Sequence, residues 1–284
     1  MSTPDPWSDL RAFTAARLAL GRCGASLPTG EILRFGLAHA EARDAVQRQL
    51  DVGAFAARLQ AAGMQALEVA SAAGDRTTFL LRPDLGRRLC DASRMLLSDA
   101  PGAAATHPKV ADPTSAAPPA TGRHDSDAAA GIDLLVVVAD GLSAPAIERN
   151  ALPMLDAIRR QALPGWRIGP VVVATQARVA LGDEIGGLLK AALVAMLIGE
   201  RPGLSSPDSL GIYLTWQPRP GRSDAERNCI SNIRPEGLAY DDAAARLWWL
   251  CGQARQLQLT GVQLKDRSRP ARIAEAAPER LNPR

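Results

Sequence analysis

Three short segments of this 284-residue chain hold the polar residues best placed for chemistry. The first is RVALGDEIG, residues 178–186, in which Asp183 and Glu184 open a helical pattern. Carboxylates in a first helical turn are favoured by the helix dipole, so a structural role accounts for them. The second is GERPGL, residues 199–204, directly after an apolar run. It reads either as a turn with a surface ion pair or as a place where Glu200 accepts hydrogen bonds from ligand amides. The third is NCISNI, residues 228–233. There Cys229 is either a small apolar residue buried beside a turn or part of a pocket wall. Each segment alone is explained without a ligand. All three fall in the same half of the chain, which allows a shared pocket.

The remaining inventory excludes more than it suggests. His39 recurs with apolar residues at helical spacing, so it reads as a core or partner-contact histidine. The other two histidines, His107 and His124, lie in an Ala/Pro-rich stretch. No nucleophile elbow, H-E-x-x-H or P-loop occurs. Asp140-Gly141-Leu142-Ser143 stands where a Rossmann glycine fingerprint belongs, which disfavours a nicotinamide enzyme. Four widely spaced cysteines form no C-x-x-C pair, so neither a zinc site nor a disulfide framework is expected. A formal charge of +3 with scattered arginines describes a solvated surface, not a nucleic-acid patch. No apolar run reaches the roughly 18 residues of a membrane span, and the first residues lack the order of a secretory signal. A soluble cytoplasmic protein is the expectation.

The elements that must position these segments are legible as a pattern. Residues 132–139, IDLLVVVA, form a near-continuous apolar run, as in a parallel strand buried on both faces. Further strands are predicted at 171–174, 193–198 and 211–216, with helices from about 144, over 183–190 and over 240–257. This alternation predicts an α/β fold whose C-terminal part is a doubly wound, Rossmann-like parallel sheet with ligands at the carboxyl ends of its strands. Ahead of it, helices over 8–20, 29–50, 51–62 and 84–97 and a hairpin of strands at 66–71 and 77–81 predict a small, mainly helical domain. The predicted division is 1–97, a flexible Ala/Pro-rich linker over 98–130, and a Rossmann-like domain over 131–284. The linker composition cannot bury enough apolar surface to offset its ordering entropy.

Six blocks then carry a resemblance: LGRCGASLPTGEILRFGLAHAEARDAV, LLRPDLGRRLC, VVADGLSAPAI, RVALGDEIGGLLKA, IGERPGLSSPDSL and NCISNIRPEG. In this order they resemble the small subunit (light chain) of ethanolamine ammonia-lyase, over nearly the whole chain except its ends and the linker. The resemblance implies a carbon–nitrogen lyase that uses adenosylcobalamin and is built of paired large and small subunits, the small one not active alone. The large subunit supplies a barrel with the substrate site. The small one helps hold the cobalamin at the interface. Homolysis of the cobalt–carbon bond starts a radical rearrangement of ethanolamine that ends in acetaldehyde and ammonia. The cobalamin contacts that carry over are Val179 against an apolar part of the cofactor, Glu200 accepting hydrogen bonds from it, and Cys229 lining the pocket. No D-x-H-x-x-G motif occurs, consistent with a family in which the cofactor keeps its own lower base. The family also implies a bacterial microcompartment, an expectation weakened here because the N-terminal extension of some relatives is missing. The competing expectations are a stand-alone α/β ligand-binding protein and a non-catalytic scaffold.

Overall fold

The computed structural model describes residues 16–99 and 131–268, together with positions 7, 10, 13 and 14. The predicted linker, with His107 and His124, lies outside the described residues apart from positions 98 and 99. The first helices among the described residues are α1 (Thr29–Gln47) and α2 (Val52–Ala61), the latter capped by Asp51, whose carboxylate accepts from the Ala54 N–H at 2.9 Å. Strand β1 (Ala66–Ala70) follows, then α3 (Arg76–Leu81), a 3-10 turn (Leu85–Arg87) and α4 (Asp91–Asp99). The second half runs β2 (Leu134–Ala139), α5 (Ala144–Arg160), β3 (Ile168–Thr175), α6 (Leu181–Leu188), β4 (Leu193–Gly199), β5 (Leu210–Trp216), β6 (Arg227–Ile233) and α7 (Tyr240–Leu257).

The strands form one six-stranded sheet in the order β1-β3-β2-β4-β5-β6. The first four of these are mutually parallel, whereas β5 and β6 run antiparallel. The Rossmann-like α/β class therefore stands, with an antiparallel pair added at one side. Every residue of β2 and β4 is buried, as their unbroken apolar runs require of central strands. Side chains alternate between two cores. Leu134, Val136 and Val138 join the cluster under α5 and α7, and Leu135, Val137 and Ala139 join the one under α4 and α6.

Four local expectations are corrected. Residues 77–81 are not the second strand of a hairpin. Asp75 accepts from the Thr78 N–H at 2.8 Å and from its hydroxyl, and this N-cap starts α3 despite two β-branched threonines. Strand β1 instead pairs with β3, so the N-terminal third contributes an edge of the main sheet. The helix expected over 84–97 breaks, because the Leu89 N–H donates to the Glu184 carboxylate at 2.8 Å and the Ser71–Leu89 bridge takes that backbone out of helical pairing. No helix covers 16–20, where Ala19 has a φ of 50°. Phe13 is 86% exposed, so its ring anchors no helix there.

Candidate functional site

The segments singled out by residue type share one side of the sheet, that of α6, with Glu200 and Cys229 placed at β5. Val179 lies in the loop from β3 into α6, half-buried against the cluster that also receives Tyr213. Glu200 follows β4 directly. Its backbone N–H donates to the Ser209 carbonyl at 2.9 Å, and its carboxylate Oε2 accepts from the Ser209 hydroxyl and, at 3.3 Å, from the Asn232 N–H. The side chain lies across Gly211 of β5. A Cβ at that position would sit 2.8 Å from Oε1, so glycine is what lets the carboxylate lie down on the sheet.

Cys229 belongs to β6 and is the cross-strand partner of Tyr213 on β5. The expected buried thiol beside a turn is corrected: Cys229 is exposed in this chain, on a strand. Partial burial of the thiol group, with Glu200 nearby, holds it above the ordinary thiol range, against the pull of the Tyr213 hydroxyl. Burial, with Cys229 and Glu200 beside it, pushes Tyr213 up to about 12. Both groups are therefore neutral at physiological pH.

A buried ion pair fixes this face to α6. Arg227, at the start of β6, binds Asp183 of α6 through two bonds of 2.6 and 2.7 Å and also donates to the Thr215 hydroxyl at 3.0 Å. Both charged side chains are 2% exposed. Burial pushes the Asp183 carboxyl up, against the pull of Arg227. Glu184, the other acid of that segment, binds the Leu89 N–H and Arg94, so it joins α4 to α6 and serves structure. The space beyond the carboxyl ends of β2 and β3 is filled. Arg76 of α3 reaches into it, donating to the Gly141 carbonyl at 2.9 Å beside the buried Asp140. The face over β5 and β6 is open, with Cys229, Ser231 and Asn232 exposed.

His39 is exposed on α1 and stands edge-on to Phe35 with ring centroids 5.2 Å apart, so it is not a core histidine. Among the described residues no group of His, Cys, Asp and Glu could hold a metal ion, and no helix is long and apolar enough to cross a membrane.

Comparison with known proteins decides what family this face belongs to. The family model described as ethanolamine ammonia-lyase light chain (EutC) matches residues 4–265. The chain belongs to the ethanolamine ammonia-lyase light-chain family. It is 48% identical over 282 residues to the ethanolamine ammonia-lyase small subunit of Pseudomonas aeruginosa, covering 99% of this chain and 94% of that protein. The small subunit of Xanthomonas campestris pv. campestris is 50% identical over 272 residues, 94% of this chain and 91% of its own. That of Pseudomonas syringae pv. tomato is 50% identical over 263 residues, 92% and 83% respectively. The light-chain match spans every element described above, from α1 to α7. Two features of this light-chain face escaped the sequence reading: Tyr213 and the Asp183–Arg227 pair. The alternation of Gly211, Tyr213 and Thr215 along one strand was the available signal for the first. No local pattern signals the second, whose partners are 44 residues apart.

Proposed function

We propose that this chain is the small subunit of an adenosylcobalamin-dependent ethanolamine ammonia-lyase, converting ethanolamine to acetaldehyde and ammonia, and that its strand-end face holds one side of the cofactor at the boundary with a large catalytic subunit. The observation that carries the proposal is the convergence of Glu200, Tyr213 and Cys229 on an open sheet face that contains neutral groups and one carboxylate, and no nucleophile–base pair. Such a surface suits binding rather than bond-making.

The residues present fit a large, flat, amide-rimmed ligand. When bound, adenosylcobalamin supplies radical chemistry through its weak cobalt–carbon bond, and the protein supplies binding and orientation. Glu200 would accept hydrogen bonds from peripheral amides with Oε1, which takes no hydrogen bond among the described residues. Val179 would pack against an apolar part of the ligand. Cys229, small and uncharged, would line the pocket without competing for metal.

A partner is supported by the surface of α1. Ile32, Leu33, Phe35 and Leu37 are all exposed there, and contiguous apolar side chains on a helix call for a covering surface. The large subunit would supply it and complete the other half of the pocket. The test is co-expression with the large subunit and measurement of ammonia released from ethanolamine. Release that requires both chains and adenosylcobalamin is expected. Co-purified chains that release none would refute the assignment.

A further inference from the structure

On β5 the residues facing α6 are Gly211, Tyr213 and Thr215, and two of these have evident tasks. Thr215 accepts from Arg227 at 3.0 Å, and Gly211 makes room for Glu200. Tyr213 remains. It is half-buried, it stands directly across the strand pair from Cys229, and it lies two residues along the same face from Gly211, over which Glu200 rests. A thiol that keeps its proton can donate S–H to the phenol oxygen. The phenol O–H is then free to donate outward.

The two groups facing the open side are complementary in kind. Glu200 can only accept, and its Oε2 is already bound to the Ser209 hydroxyl and the Asn232 N–H, which orients Oε1 over Gly211. Tyr213 offers a donor. An acceptor and a donor side by side match the two ends of a primary carboxamide. We propose that Tyr213 is a further cofactor-contact residue and that, with Glu200, it reads a primary carboxamide: Glu200 Oε1 accepts from the amide NH2 while the Tyr213 hydroxyl donates to its carbonyl. The inference rests on the cobalamin assignment above, since the rim of that ligand carries primary carboxamides. It goes further by naming the functional group read and the residue that reads it. Cys229 becomes a positioning residue, acting through the tyrosine hydroxyl.

The test uses the co-purified complex of small and large subunits and equilibrium binding of cyanocobalamin, followed by its absorbance. The probes are cyanocobalamin and its monocarboxylic acids, in each of which one peripheral carboxamide is hydrolysed. Tyr213→Phe and Glu200→Gln should each weaken cyanocobalamin binding about two- to tenfold, the range for one lost hydrogen bond. Their effects should be less than additive in the double variant, because both act on one amide. One acid isomer should bind the wild type far worse than the others do, and Glu200→Gln should relieve that selective penalty. A tyrosine with only a structural role would lower affinity for every probe alike. Thermal unfolding of each variant complex confirms that assembly is intact. Wild-type binding with no loss in Tyr213→Phe, or no isomer singled out, would overturn the carboxamide reading and leave the cobalamin assignment standing. A wild-type complex that binds no cobalamin would overturn both.

Discussion

Glycine at two positions serves different ends, and alanine there separates fold from site. At Gly199 a Cβ would collide with the Ser143 and Asp140 carbonyl oxygens, which are backbone and cannot yield cheaply. Gly199→Ala should cost about 3 kcal/mol, read as a lowered unfolding midpoint. At Gly211 the obstacle 2.8 Å away is Oε1 of Glu200, the end of a flexible side chain. Gly211→Ala should therefore change stability by less than about 1 kcal/mol yet displace the carboxylate, weakening cobalamin binding in the complex as Glu200→Gln does. Residue type and order alone pointed to a ligand near Glu200 and Cys229 only as one of two readings for each segment. Their assignment with Val179 to cobalamin came from the resemblance, because loop residues brought together by a sheet have no common spacing to detect.

At the scale of elements, β6 is held by a buried charge and a capped turn. Removing one partner of the Asp183–Arg227 pair strands the other in a buried site, so Arg227→Met should destabilise the chain by about 3–5 kcal/mol. Combining it with Asp183→Leu should recover most of that loss, measured by chemical denaturation. The turn ahead of β6 is a capping box, in which the Ser223 N–H and hydroxyl both bond the Glu226 carboxylate. The backbone bond to Ser223, then the bonds from Arg222 and the Ser223 hydroxyl, hold Glu226 at about 2, below its ordinary 4.5. A lowered acid favours the fold when ionised. Its contribution is thus complete above about pH 4.5 and fades as the pH falls toward 2. Glu226→Gln should be less stable than the wild type at neutral pH, and the difference should shrink across that acid window when unfolding midpoints are compared. Strand β6 itself was not legible. Its polar residues Arg227, Asn228, Ser231 and Asn232 resemble a turn, and only pairing with β5 makes them a half-exposed edge strand. The central strands were legible because full burial leaves an unbroken apolar run.

For the whole molecule, the sheet unites segments that composition separates. The Ala/Pro-rich stretch suggested independent halves, yet β1 pairs with β3 from beyond it. Parallel pairing across that distance leaves no local signature. Helix α1 shows the converse: its apolar residues were legible, but their exposure was not. Leu33 and Leu37 are 68% and 61% exposed and lie one turn apart. Introducing Leu33→Glu and Leu37→Glu together should abolish co-purification with the large subunit while leaving the unfolding midpoint of the isolated chain nearly unchanged. That the chain's strand-end face carries cobalamin is tested most directly by the affinity of the purified two-subunit complex for cyanocobalamin, with Cys229→Trp set against the wild type. An indole placed beside Tyr213 should occupy the face and weaken binding by about tenfold or more, with assembly intact. Equal affinity in the two complexes would contradict it.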